Sequence, residues 1–251
     1  SEVATHALKV VWNQKWQVHL RLRPEAYGGL VHVQTLGALK GGKRPYGLPN
    51  WVARTEAAKW VKDRTGGLLL PMAFTPGSPT HPAYGAGHAT VAGVCVTVLK
   101  AYFQTLEADG KTPVKLNTLT EREAPYGSGT TFQAYVTGVN KAGEGVRTPL
   151  SKAESDKLTI EGELNKLAMN VAMGRSMGGV HWRTDNTRSL MLGEALAARV
   201  LADITTDANE KPYFVFRSFS RKADGDPKTI TIRQGRVFVD GVLVDTNSSA
   251  L

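Results

Sequence analysis

The chain has 251 residues, 41% of them apolar, with 31 basic against 22 acidic side chains and a net charge of +9. No apolar run approaches the roughly 20 residues of a bilayer span and no signal-peptide pattern is visible at Ser1, so a soluble globular protein of open compartment is expected. Its basic residues form no long run and no nucleic-acid motif occurs, so the charge points to an anionic substrate or an acidic partner instead.

Residues 3–22 read as a helix, because Val3, Ala7, Val10, Val11, Trp12 and Trp16 recur at helical spacing. It should end at Arg23-Pro24, since proline disfavours helical geometry in the residue before it. Lys15 lies two turns before Arg23, with His19 between them. The three read either as a solvated basic edge or as cations reaching toward one anion. Residues 25–50, rich in Gly, Pro and Tyr, should be an irregular connection. Asn50 then stands as an N-cap for a helix over 51–64 that contributes Trp51, Ala57, Ala58, Trp60 and Val61, closed by Gly66-Gly67.

Residues 76–88, with three prolines and three glycines, can be neither helix nor central strand. The small apolar residues that follow suit a buried helix from His88 to about Thr105, and Cys95, the only cysteine, should be buried in it. Gly85 and Gly87 let the backbone approach something at the helix start, where free N–H groups and the dipole favour an anion. Residues 107–158 lack sustained period and suggest a long surface excursion, a lid or an interface arm. Helical spacing returns from Glu161 to Gly178-Gly179, and again over about 186–204. The tail changes period: strands are predicted at Tyr213, Thr229 and Val237, with turns at Asp224-Gly225 and Asp240-Gly241. The expected architecture is mainly α, a helical bundle with a small C-terminal antiparallel β appendage at 212–245, taken as a single domain over 1–251.

Three separated clusters carry chemistry: Lys15 with Arg23-Pro24, Gly87-His88, and Arg175 through His181 to Asp185. Arg175 ends a helix, where a cation suits the dipole. Asp185, four residues after His181, is placed to hydrogen-bond the imidazole and set its tautomer, or to cap the next helix. Together the cations, amides and two histidines make a pocket for a tetrahedral oxyanion, with one histidine able to bond the central atom and the other to move protons.

In order, Lys-x7-Arg-Pro, Gly-His and Arg-x5-His-x3-Asp resemble the signature of the vanadium-dependent haloperoxidase and acid phosphatase superfamily. Further stretches resemble its red-algal and cyanobacterial bromoperoxidase branch: Lys15-Trp-Gln-Val-His-Leu-Arg-Leu-Arg-Pro24, Ser78-Pro-Thr-His-Pro82, Gly87-His-Ala-Thr90, the run from Glu163 to Arg175, and Leu192-Gly-Glu194. The resemblance implies a helical bundle and vanadate as cofactor, with His181 as the metal ligand. It implies that Lys15, Arg23 and Arg175 neutralise vanadate oxygens and that the Gly87 amide donates to one. His88 would be the acid–base residue, Lys15 would polarise peroxide, and His81 would bear on halide preference. Hydrogen peroxide, bromide or iodide, and an organic acceptor are the implied partners, with chloride a poor substrate. Two departures stand out. The family often has Pro-Ser-Gly-His where this chain has Gly85-Ala86-Gly87-His88, so a serine hydroxyl is lost. Family members are also usually longer, so the chain looks like a C-terminal half whose other half is missing or on another chain, and a homo-oligomer is expected. A phosphatase using His181 as nucleophile, or a non-catalytic subunit, are the alternative readings.

Overall fold

The computed structural model describes residues 2–19, 21–35, 48–49, 51–117 and 134–244. They group into two compact units, residues 1–95 with 168–196, and residues 96–167 with 197–251.

In the first unit, helix α1 (Glu2–Gln14) buries Ala4 and Leu8, one turn apart. The helix expected over 3–22 does not continue as α: Lys15–His19 form a π turn with no buried residue. Trp16 and Val18 are exposed there, so packing does not select the tighter α ladder. Residues 25–50 were expected to be irregular, yet Pro24–Thr35 form helix α2. Proline is tolerated at a first helical position, where its missing N–H has no intrahelical partner to lose. The Tyr27 amide reaches back to the Arg23 carbonyl at 3.1 Å and closes the first turn.

Helix α3 (Glu56–Thr65) is capped by the Thr55 hydroxyl, which accepts from the Ala58 amide at 3.2 Å. The expected cap, Asn50, lies outside the described residues. Gly66, at φ +74°, ends α3 as anticipated. Trp51 and Trp60, expected as apolar contributions, are exposed, and Arg64 covers the Trp60 ring at 3.9 Å. Helix α4 (Gly87–Tyr102) begins at the glycine-rich turn as expected. Cys95 is exposed, contrary to expectation. The buried stripe runs through Gly93, Val96, Thr97 and Lys100, and Cys95 falls on the opposite side of the helix.

Two helices complete the framework, α6 (Ile160–Met177) and α7 (Arg183–Asp207), preceded by a four-residue helix α5 (Lys152–Ser155). Within the first unit α4 and α7 touch backbone to backbone. A methyl at Gly93 would collide with the Leu190 carbonyl, and one at Gly193 with the Thr90 carbonyl and Val94 amide. Glycine is required there by space and not by dihedral angle.

In the second unit, strands β1 (Tyr135–Val139) and β2 (Gly145–Pro149) form an antiparallel hairpin exposed along its length. Strands β3 (Tyr213–Arg221), β4 (Pro227–Arg233), β5 (Arg236–Val239) and β6 (Val242–Leu243) form an antiparallel sheet in that order. Alternation puts Phe214, Phe216, Ile230, Ile232 and Val237 on one face, against Ala198, Leu201 and Ala202 of α7. The predicted turns carry the positive φ they require, +94° at Gly225 and +81° at Gly241. The mainly α bundle with a small antiparallel sheet is therefore present. Among the described residues no helix is long and apolar enough to cross a membrane.

Candidate active site

Every residue singled out from the sequence belongs to the first unit. Arg23 lies in the extended segment before α2 and is buried. Its Nε and Nη2 donate to the His81 carbonyl at 3.0 and 2.7 Å, and Nη2 also to the Pro82 carbonyl at 3.3 Å. Its Nη1 donates to the Val180 carbonyl at 2.8 Å. One guanidinium thus ties the 81–82 loop to the residue before His181. Burial lowers its pKa, Glu25 and Asp185 oppose that, and Arg175 adds to it; a guanidinium remains charged through such changes.

The His81 ring stacks on Trp12, centroids 3.9 Å apart and planes 18° apart, while Trp12 Nε1 donates to the Gly85 carbonyl at 2.8 Å. His81 Nδ1 stands 2.9 Å from the Pro82 carbonyl and 3.1 Å from Arg23 Nη2. The first contact needs a proton on Nδ1 and the second needs its lone pair, so the tautomer chooses between them. Burial pushes His81 down to about 4, against the pull of the Pro82 carbonyl and with the help of Arg23, His181 and Arg175. His81 is therefore neutral near pH 7.

At the start of α4, the Thr90 amide bonds the Ala86 carbonyl at 2.9 Å. The Gly87, His88 and Ala89 amides precede it and have no intrahelical acceptor. Ala86 is fully buried, and its own amide donates to Ser189 Oγ at 2.8 Å. A methyl at Gly87 would meet only Trp12, at 3.9 Å, so crowding by protein does not demand that glycine. His88 is exposed; partial burial, then Arg175 and His181, lower its pKa.

Arg175 occupies the last turn of α6 as expected, its guanidinium 5.6 Å from the Phe74 ring centroid. Its Nε is buried and has no hydrogen-bond partner among the described residues. His181 is 4% exposed, and its Nδ1 is 3.6 Å from Asp185 Oδ2, too long for a hydrogen bond. Asp185 is completely buried, and one reading of it needs correction. It is not the cap of α7 but its third residue, with Oδ2 accepting the Trp182 amide at 3.0 Å. Its shortest charged contact is Arg21 Nη2, 2.9 Å from Oδ1, and not the imidazole. Lys15, on the π turn, joins Arg23 and His81 along a cleft of about 430 Å³, its Nζ 5.3 Å from the Tyr84 ring centroid.

The fold therefore brings a buried guanidinium nitrogen with no partner among the described residues, a second arginine, helix-start amides without an intrahelical acceptor and three imidazoles into one neighbourhood, with Lys15 lining the adjoining cleft. Such donors can hold an oxyanion and exchange protons with what is bound to it.

The description of the VCPO second helical-bundle domain matches residues 2–210. The chain belongs to the vanadium-dependent haloperoxidase family. Curated relatives are the vanadium-dependent bromoperoxidases of Corallina pilulifera, 36% identical over 234 residues, and of Ascophyllum nodosum, 37% identical over 214 residues. The matches cover 87% and 83% of this chain and 34% of each relative, so the chain spans about a third of their length. Among solved structures, a homohexameric vanadate-dependent bromoperoxidase, the second from Ascophyllum nodosum, matches with a TM-score of 0.63 and 30% identity, over 89% of this chain and 38% of that one.

In this family member several neighbours of the site escaped the sequence reading. Arg21 and the Leu22 carbonyl bind the turn around His181, Trp12 supports His81, and Ser189 holds the Ala86 amide. Arg21 and Trp12 lie inside helical or basic patterns that already account for them locally. Ser189 lies 103 residues from the amide that it binds, a pairing that no local pattern announces.

Proposed function

We propose that the chain is the vanadate-binding, catalytic part of a bromoperoxidase that uses hydrogen peroxide to oxidise bromide and iodide. The product is a hypohalous acid equivalent that halogenates an organic acceptor. The observation that carries this reading is the buried Arg175 Nε, which has no hydrogen-bond partner among the described residues. Buried donors without partners are costly, and an oxyanion ligand is a chemically fitting acceptor for them.

Vanadate fits this donor set: His181 would ligate the metal, Arg175, Arg23 and Lys15 would offset the anion's charge, and the Gly87 amide would donate. When bound, it supplies a Lewis acid that activates peroxide without leaving its highest oxidation state. His88, exposed and with a lowered pKa, is suited to accept the peroxide proton and return it. Lys15, at the cleft, would draw negative charge from the O–O bond as it breaks. In the net reaction that bond breaks, peroxide takes two electrons from bromide, one proton is taken up from solvent, and water and the hypohalous acid leave. His81, neutral and held flat by Trp12, would meet the halide without the attraction of a full charge.

Phosphate-washed, chelated protein should lack bromination activity and recover it with vanadate but not with iron or zinc. Recovery with iron alone overturns the reading. His181→Ala should abolish tight vanadate binding in a titration. His81→Ala should change the halide kinetics, with vanadate still bound.

A further inference from the structure

The segment Arg21-Leu22-Arg23 binds both sides of His181, although some 160 residues separate them in sequence. Arg23 holds the Val180 carbonyl at 2.8 Å, and the Leu22 carbonyl accepts Trp182 Nε1 at 2.9 Å. Arg21 Nη2 reaches Thr184 Oγ1 at 2.9 Å and Asp185 Oδ1 at 2.9 Å. The Asp185 carboxylate is completely buried, and apart from the Trp182 amide its close contacts are Arg21 and, at longer range, His181. A buried carboxylate needs a countercharge to stay ionised and in place, and Arg21 is the cation in contact with it. The Arg21 side chain is itself 40% exposed and lines the cleft that Lys15, Arg23 and His81 share.

We infer that Arg21 is a positioning residue for His181: by holding Asp185 Oδ1, it aims Oδ2 at the imidazole Nδ1 and leaves the other ring nitrogen for the ligand. This rests on the proposed vanadate site, but its first consequence is visible in protein without vanadate. A carboxylate facing Nδ1 favours the tautomer protonated there, which frees Nε2 to ligate.

Nitrogen-15 NMR of the histidine side chains in vanadate-free protein tests it. The parent should show His181 as one Nδ1-protonated tautomer, and Arg21→Ala should show mixed tautomers, as should Arg21→Gln, which keeps a polar side chain but carries no charge. Thr184→Ala should leave the His181 signals unchanged, and Arg21→Lys should restore them in part. Vanadate affinity should fall about 10–100-fold in the Arg21 variants, in proportion to the tautomer change. Unchanged His181 signals in Arg21→Gln overturn the inference, as does a loss of vanadate affinity with the tautomer intact. If the parent binds no vanadate while Arg21→Gln still shifts the tautomer, the cofactor reading fails and the positioning role of Arg21 stands.

Discussion

At the residue scale, two side chains set measurable expectations. Burial holds His81 at about 4, below its ordinary value of 6.5. In the unfolded chain the ring therefore gains a proton at higher pH than in the folded one. Its contribution is unchanged above pH 6.5, is lost as pH falls toward about 4, and is constant below that. Proton NMR titration of the vanadate-free protein should show one histidine titrating near 4, and that signal should vanish in His81→Ala. A signal titrating near 6.5 that vanishes in its place would refute the assignment. The second side chain is Ala86, whose methyl is buried at the head of α4 where the family resemblance implies serine. A hydrogen bond to a charged group contributes about 1.5–3 kcal/mol, a tenfold to hundredfold effect on binding. Ala86→Ser should tighten vanadate by up to that factor, read by titration of stripped protein. Equal affinity would mean that another donor already occupies the serine's place; Ser189 Oγ, 2.8 Å from the Ala86 amide, is one such hydroxyl.

At the element scale, the site is held by how closely α4 and α7 approach. Gly93 and Gly193 each face the other helix's backbone, so a methyl at either has no flexible side chain to displace. Gly193→Ala should cost about 3 kcal/mol, the upper end of the range for overpacking, measured as a lowered urea midpoint. Gly174 in α6 is the control, because open space surrounds the position of its missing methyl. Gly174→Ala should stabilise by about 0.5–1 kcal/mol through helix propensity alone. Equal effects of the two substitutions would show that the α4–α7 contact is looser than its geometry. The π turn at Lys15–His19 matters at this scale too. Its extra residue per turn changes where Lys15 and Arg23 emerge, which an uninterrupted α-helix to Arg23 would have placed otherwise.

At the scale of the molecule, several large apolar side chains face outward, among them Met177 at 83% exposure, Val139 at 72% and Trp51 at 66%. Such side chains are available for a further chain to cover. Sedimentation of the active protein should give a mass above the 27.1 kDa of one chain, through further copies or a second polypeptide. A stable and fully active monomer would contradict this. The homohexameric Ascophyllum nodosum structure shows that a related bundle can assemble, and the second polypeptide remains an alternative outcome of the measurement.

The helices at α3, α4, α6 and α7, the strands of the C-terminal sheet, the glycine-rich start of α4 and the order of the three charged clusters were legible in the sequence, because periodicities, turn residues and motif spacing are local, whereas the β1–β2 hairpin and α5 within 107–158 were not. The helix at Pro24–Thr35 was not, because its glycines and prolines read as breakers, and a proline at a first helical position becomes evident only once the helix exists. The exposure of Cys95 depended on which side of α4 met α7, and that is settled by the glycine contacts at 93 and 193. The same holds for Asp185. Spacing from His181 suggested an imidazole partner, but the nearest charge came from Arg21, 164 residues earlier, because a completely buried carboxylate takes whatever cation the fold delivers to it. The sequence by itself determined which groups could hold an anion. Only the tertiary structure decided that Arg23 would spend its donors on carbonyls at 81, 82 and 180 while Arg175 kept a buried nitrogen unpaired, since that depends on which carbonyls packing brings within reach.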